Sequence, residues 1–145
     1  METLAKYMKT LPLEIITQEI IPFTYKTQPN ELLYDIESFH ETNEYLRSLY
    51  QNKYDDDYLA WLNNDVARFM NNNVPTMYGI TDENSEKMKR LYSFRDKSNG
   101  YIIQYIQFEM HLNYSEKMSI HLSLACLRPS ERIRLLSFIE CIWEN

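Results

Sequence analysis

The 145-residue chain has 21 acidic and 15 basic side chains, which give a net charge of −6, and it has only 2 glycines. Nucleic-acid-binding proteins normally present a basic patch. Here only Lys87, Lys89 and Arg90 lie close together, so we expect no nucleic-acid ligand. All-β domains usually need glycine in their turns and bulges, so the scarcity of glycine favours a helical fold.

The cysteines and the hydropathy pattern indicate a reducing, aqueous compartment. Cys126 and Cys141 each lie in an apolar helical pattern, and their spacing matches no zinc motif, so we expect both thiols to be buried. No signal peptide is expected, because Glu14 and Glu19 interrupt the first apolar run. No apolar stretch reaches the roughly 18 residues that cross a bilayer. These patterns predict a cytoplasmic protein without a membrane span.

The first predicted element is a short apolar helix in the segment TLPLEIITQEI. Thr10 suits its N-cap, and Pro12 suits its first turn, where the missing N–H costs nothing. Leu13 and Ile21 lie outside the main apolar face. That face has four members: Leu11, Ile15, Ile16 and Ile20. Because apolar residues point to more than one side, we expect one side to pack on the chain and the other to bind a partner.

Three more helices are predicted before the clearest linker of the chain. Pro29 begins a short second helix. Ser38 and Glu41 form a capping box for a third helix, over about 40–51. The aspartates of NKYDDDY favour the start of a fourth helix, DYLAWLNNDVARFM. The polar stretch NNNVPTMYGITD then predicts a linker.

The remaining sequence predicts a helical extension with one ambiguous segment. Thr81 or Asp82 suits the N-cap of one helix and Ser115 that of another, and ERIRLLSFIECIW predicts the final helix. The segment YIIQYIQFEMHLNY fits a strand by its alternation and a helix by its length. Helix is favoured there, with a β-hairpin over 91–112 as the alternative. The fold class we expect is therefore all-α.

Three segments in the N-terminal half resemble the F-box family. They are the Leu-Pro-x-Glu-Ile opening at 11–15, NEYLRSLY at 43–50 and DYLAWL at 57–62. The resemblance covers about residues 8–66. It implies a small helical bundle whose exposed apolar face docks on the Skp-type adaptor of cullin ubiquitin ligases. Asn43 stands where the family usually has a cysteine, and acidic residues replace basic ones beside it.

Carried over by position, the resemblance implies protein binding at six residues. These adaptor contacts are Leu11, Pro12, Ile15, Ile16, Leu33 and Trp61. The resemblance also implies an F-box-like domain at 8–70. The sequence pattern predicts a linker at 71–80 and a helical extension at 81–145 that packs on this domain. We therefore expect a non-enzymatic adaptor that bridges a target protein to a Skp-type subunit.

Composition suggests a source and an alternative function. Abundant Asn, Ile, Lys and Tyr with little Gly suggest an AT-rich genome, and the opening segment is similar to F-box-like openings in large nucleocytoplasmic DNA viruses. Such a protein would act in the host cytoplasm or in the virion. The alternative to an adaptor is a structural or scaffolding protein, such as a minor virion component that binds other viral proteins.

The sequence contains no recognisable catalytic or metal-binding pattern. None of the three histidines has a metal-ligand spacing to a cysteine or a pair of carboxylates. Gly79 and Gly100 alone do not form a phosphate-binding loop, and no serine lies in a nucleophile elbow. His121 and Cys126 are five positions apart on one predicted helix, so they face different directions. We expect no enzymatic activity, cofactor, metal or small-molecule ligand.

Overall fold

The computed structural model describes residues 12–15, 18–19 and 30–144, and this part of the chain is helical and contains no strand. The predicted all-α fold is confirmed, and the hairpin alternative is not adopted. The helices are α1 (Leu13–Ile15), α2 (Asn30–Tyr54), α3 (Tyr58–Met70), α4 (Asp82–Met88), α5 (Asn99–Gln104), α6 (Met110–Asn113), α7 (Glu116–Cys126) and α8 (Pro129–Glu144). A π-helix, Tyr105–Glu109, joins α5 to α6, and 3₁₀ turns lie at Asp55–Asp57, Thr76–Tyr78 and Tyr92–Phe94. The predicted N-cap Thr10 lies outside the described residues.

The second and third predicted helices are one continuous helix, so the predicted break at Ser38 is wrong. Helix α2 runs for 25 residues, and no proline or glycine interrupts it. Six of its side chains are buried, at a spacing that keeps them on one face: Ile36, Phe39, Thr42, Asn43, Leu46 and Tyr50. Burial of this long stripe outweighs the local capping preference of Ser38 and Glu41, because tertiary packing supplies most helical stability in proteins.

A turn of three aspartates connects α2 to α3. Asp55 has a φ of +53°, a conformation that Asp adopts more readily than most residues. Arg47 then donates a hydrogen bond to the Tyr58 hydroxyl at 3.2 Å, and the Tyr50 hydroxyl donates to the Asp65 carboxylate, so the two helices are paired along their length. The predicted fourth helix is confirmed as α3.

The core lies among α2, α3, α7 and α8. Helix α3 packs against both α2 and α7, and α8 packs against both α2 and α3. The innermost apolar side chains are completely buried: Leu46, Leu62, Val66, Leu124, Leu135 and Ile139. Residues before and after the 71–80 segment therefore share one core.

A buried arginine joins α8 to α2 and α7. Arg132 Nε donates to the Leu124 carbonyl oxygen at 3.0 Å, and its Nη1 donates to the Asp35 carbonyl oxygen at 2.9 Å and to the Asp35 carboxylate. Its guanidinium carbon lies 5.7 Å from the centre of the Phe39 ring. Since Arg132 is only 2% exposed, these contacts replace nearly all of its hydration.

One buried amide closes the loop between α3 and α4. Asn71 Nδ2 donates to the carbonyl oxygens of Val74 and Gly79, both at 2.8 Å. Its Oδ1 accepts from the Thr81 N–H at 2.7 Å and from the Asn84 amide at 3.4 Å. Because both ends of the amide are used, Asn71 fixes the loop in front of α4.

We expect Asn71→Ala to lower the free energy of unfolding by about 2 kcal/mol, because two carbonyl groups and a backbone N–H lose their partner. Urea denaturation followed by circular dichroism measures the change. The control is Asn64→Ala, at an exposed position of α3. Equal losses for the two variants would show that the Asn71 amide does not hold the loop.

Candidate protein-interaction site

The six predicted adaptor contacts differ in their accessibility. Two of them lie outside the described residues: Leu11 and Ile16. Ile15 is only 2% exposed and belongs to the core cluster, so in this conformation it offers no surface to a partner. Pro12 and Leu33 are partly buried. Trp61 is 50% exposed and is the most accessible of the four that are described.

Trp61 belongs to an aromatic cluster, which we define as Tyr50, Tyr54, Trp61 and Trp143. The Trp61 ring stacks on Tyr54, with centroids 5.3 Å apart and planes 19° apart. Tyr54 meets Trp143 edge to face at 6.2 Å, and Tyr50 packs on Trp143 at 4.9 Å. Because Tyr50 is completely buried, the cluster is anchored in the core and holds the Trp61 ring at the surface.

Charged groups surround the aromatic cluster. Lys53 Nζ lies 4.2 Å from the centre of the Trp143 ring, a cation–π contact. Burial, together with the Asp65 carboxylate, raises the pKa of Tyr50 well above its ordinary value, so its hydroxyl stays protonated and keeps donating to Asp65. The exposed turn Asp55–Asp57 adds negative charge between α2 and α3.

A second candidate surface is a groove of about 440 Å³ that lies between α3, α4, α7 and the helical stretch from α5 to α6. Two isoleucines, Ile80 and Ile106, contribute to its lining. We call it the methionine groove after four lining residues: Met70, Met77, Met88 and Met110. Flexible, polarisable methionine side chains are common on surfaces that adapt to different partners. Met70 and Met88 are each 2% exposed and belong to the core, whereas Met77 is 81% exposed at the edge of the groove.

The methionine groove is apolar and amide-rich, and its lining contains no Asp, Glu, Lys or Arg among the described residues. His111 is its one titratable side chain there, and it lies at an exposed position. The remaining polar lining consists of amides and hydroxyls, for example Asn63, Asn84 and Ser123. Such a lining favours uncharged ligand groups, because a charged group would lose its hydration without a counter-charge.

The π-helix Tyr105–Glu109 forms part of one wall of the groove, through Ile106 and Gln107. π-helices are rare and occur mostly as single turns, frequently at functional sites. The side chains of Tyr105 and Tyr114, which do not line the groove, interact with each other, and burial raises the pKa of Tyr114 to about 12. Tyr114 therefore stays protonated at neutral pH.

Two buried groups with altered pKa values belong to neither the aromatic cluster nor the lining of the methionine groove. His121 is 1% exposed, and neither of its ring nitrogens has a hydrogen-bond partner among the residues that the structure describes. Burial, together with Lys117 and Arg47, lowers the pKa of His121 to about 4. Cys126 Sγ lies 3.4 Å from Met88 Sδ, and burial raises the pKa of this thiol far above its ordinary value. Cys126 is buried as expected, whereas the expectation for Cys141 is wrong, since that thiol is exposed.

Within residues 12–15, 18–19 and 30–144, no group of three or more His, Cys, Asp or Glu side chains is arranged to hold a metal ion. No helix in the same part of the chain combines the length and the apolar character that a membrane span requires. The chain matches no protein-family model, and it has no significant match among curated proteins or solved structures.

Proposed function

We propose that this chain is a non-enzymatic protein-interaction module of the F-box-like type, which bridges a target protein to a Skp-type adaptor. The observation that supports the proposal is the half-exposed Trp61 ring on its rigid aromatic cluster. Trp61 is one of the residues that the resemblance assigns to the adaptor contact. Tryptophan and tyrosine side chains dominate many protein interfaces, since they bury a large area with little loss of conformational freedom.

The proposed contact differs in one respect from the set implied by the resemblance. Ile15 anchors the α1 turn in the core, so we assign it a supporting role instead of a direct contact. Trp61 then supplies the accessible apolar surface of the proposed contact. Covering the exposed half of an indole removes about 100 Å² of apolar area from water, which is worth about 2.5 kcal/mol.

We expect Trp61→Ala to weaken binding of the purified protein to a Skp-type adaptor by at least about tenfold. Isothermal titration calorimetry measures the affinity. The matched control is Ile133→Ala, which removes an apolar side chain that is 62% exposed on α8. Its affinity should equal that of the wild type.

The proposal is wrong if the wild-type protein shows no binding at about 0.1 mM adaptor, or if the two variants weaken binding equally. Sedimentation of the protein alone distinguishes the adaptor function from the alternative function. A chain that self-associates and does not bind the adaptor would be a structural or scaffolding component instead.

A further inference from the structure

One carboxylate serves several basic groups where the chain leaves α4 and meets the start of α8. Glu131 Oε1 accepts from Arg90 Nη1 and from the Arg128 N–H at 2.9 Å. Glu131 Oε2 lies 3.7 Å from Arg134 Nη2. Arg90 Nη1 also donates to the Cys126 carbonyl oxygen at 3.0 Å, which fixes its guanidinium. The positive charges around Glu131 therefore exceed the single negative charge of its carboxylate.

Lys87 adds a half-buried ammonium group beside the same carboxylate. Its Nζ donates to the Met70 carbonyl oxygen at 3.5 Å and lies 5.6 Å from the centre of the Phe69 ring. Burial lowers the pKa of Lys87, and the charges of Glu131 and Arg134 are close enough to act on it as well. An ammonium group has three donors, and one long hydrogen bond leaves most of this capacity for an anion.

Two further side chains at the start of α8 have unused hydrogen-bond donors. Arg134 is 70% exposed, and its 3.7 Å contact with Glu131 is longer than a hydrogen bond. Arg128 is exposed, and its guanidinium makes no hydrogen bond or ion pair within the described part of the chain. We define the basic patch as Lys87, Arg90, Arg128 and Arg134.

The basic patch and the Trp61 surface are separated along two helices. On α8, Trp143 of the aromatic cluster follows Glu131 by twelve positions, a rise of about 18 Å. On α3, Phe69 beside Lys87 follows Trp61 by eight positions, or about 12 Å. The chain therefore presents its aromatic cluster and its basic patch at opposite ends of the α3 and α8 helices.

We infer that the basic patch binds an acidic segment of a partner protein. A carboxylate beside Lys87 and Arg134 accepts from both side chains, and such charge-assisted hydrogen bonds are among the strongest in proteins. It also supplies a second negative charge next to Glu131. The identification of this partner as the target rests on the proposed function, in which one end of the molecule holds the adaptor and the other end holds the target.

The surroundings of the basic patch favour a protein segment over a nucleic acid. Glu83 and Glu86 are exposed on α4, each four positions before a basic residue of the patch. Duplex DNA carries about one negative charge per 1.7 Å of its length, so it would also meet these two carboxylates. A peptide can place uncharged residues there. The net charge of −6 further repels a long polyanion.

The experiment selects ligands for the full chain from a random peptide library displayed on phage, and then titrates the enriched peptide by fluorescence anisotropy. The variant is Arg134→Glu, which reverses an exposed charge of the patch. The control is Lys117→Glu, which changes the net charge equally at an exposed position of α7. Lys117 precedes Cys126, which contacts Arg90, by nine positions or about 14 Å.

We expect the library to enrich Asp and Glu, and the enriched peptide to bind more weakly as the salt concentration rises. Arg134→Glu should weaken the peptide at least about tenfold, and Lys117→Glu by less than about threefold. The inference is overturned if no acidic peptide is enriched, or if the two charge reversals weaken the peptide equally. Tighter binding of a mixed-sequence single-stranded RNA than of the peptide would also overturn it.

The two surfaces are tested separately. Trp61→Ala should retain peptide binding, and Arg134→Glu should retain adaptor binding. A chain that binds the acidic peptide but no adaptor would contradict the proposed function and leave the basic patch as a protein-binding surface. A chain that binds the adaptor but no acidic peptide would contradict only the role given to the basic patch.

Discussion

Replacing Arg132 with alanine is expected to lower the free energy of unfolding by about 3 kcal/mol, as for other buried ion pairs that lose one partner. The variant removes the guanidinium donors from both oxygen acceptors of Asp35 and from the Leu124 carbonyl oxygen, which keeps only the Leu127 N–H at 3.3 Å. It also removes the guanidinium from the Phe39 ring. The loss falls at the lower end of the usual range because the Asp35 side chain is 42% exposed and can recover some hydration.

Two further variants separate charge from packing at this position. Arg132→Lys keeps the charge but cannot reproduce the planar set of N–H donors, so we expect a loss close to that of alanine. Arg132→Met keeps most of the volume and should lose less. The control is Arg134→Ala, whose side chain is 70% exposed and whose ion pair with Glu131 is long, at 3.7 Å. Urea unfolding should give a change within about 0.5 kcal/mol for Arg134→Ala. Equal losses at the two arginines would refute the role given to Arg132.

Acidification is expected to destabilise the protein through His121. The pKa of His121 is about 4 in the folded chain, below its ordinary value of 6.5. Between these two values the unfolded chain binds a proton and the folded chain does not, so stability falls as the pH falls. Above pH 6.5 His121 is neutral in both states and does not change the free energy of unfolding. Relative to that range, protonation of His121 in the unfolded chain lowers the free energy of unfolding by about 2 kcal/mol at pH 5 and by up to about 3 kcal/mol near pH 4.

The variant His121→Leu should remove this part of the pH dependence. Within the described part of the chain neither ring nitrogen has a hydrogen-bond partner, and the centre of the Phe39 ring lies 5.9 Å from that of His121, so an apolar side chain of similar size suits the position. Urea unfolding at pH 7 and pH 5 should show a smaller difference for His121→Leu than for the wild type. The control His111→Leu, at an exposed position, should retain the wild-type difference. The same pH dependence in the wild type and His121→Leu would exclude His121 as the source.

Local signals in the sequence were sufficient where the structure depends on neighbouring residues. Thr81 and Ser115 are confirmed as N-caps, accepting from the Asn84 and Met118 N–H groups at 3.3 and 3.2 Å. A cap needs only the residue two or three positions ahead, so its partner is fixed by the sequence itself. The predicted α3 is confirmed for the same reason, since its apolar face repeats at the helical period.

Signals that depend on distant packing were misleading or ambiguous. The predicted break at Ser38 is wrong because one face of α2 is buried continuously from Ile36 to Tyr50. The sequence did not distinguish helix from strand at 101–112, because Tyr105–Glu109 forms a π-helix, whose wider turn disturbs the 3.6-residue repeat. Cys126 and Cys141 both fit apolar helical patterns, yet only Cys126 faces the core.

The two candidate surfaces also depend on contacts between distant parts of the chain, which the sequence does not reveal. The resemblance pointed to Trp61, but not to the aromatic cluster, because Trp143 comes from the opposite end of the chain. Tyr50 and Tyr54 lie one turn apart on α2, which is visible in the sequence, but their partners are not. The methionine groove depends on small residues such as Ala67 and Ser119, and small residues alone carry no composition signal.

The central claim is that the chain acts by binding a protein partner through the exposed Trp61 ring. The most direct test labels both tryptophans with fluorine and records ¹⁹F NMR spectra while a Skp-type adaptor is added. Trp61 is 50% exposed, whereas Trp143 is partly buried within the aromatic cluster, so Trp143 serves as the reference. We expect the Trp61 signal to shift or broaden strongly and the Trp143 signal to move much less. Two unchanged signals at saturating adaptor, or a change at Trp143 alone, would contradict the claim.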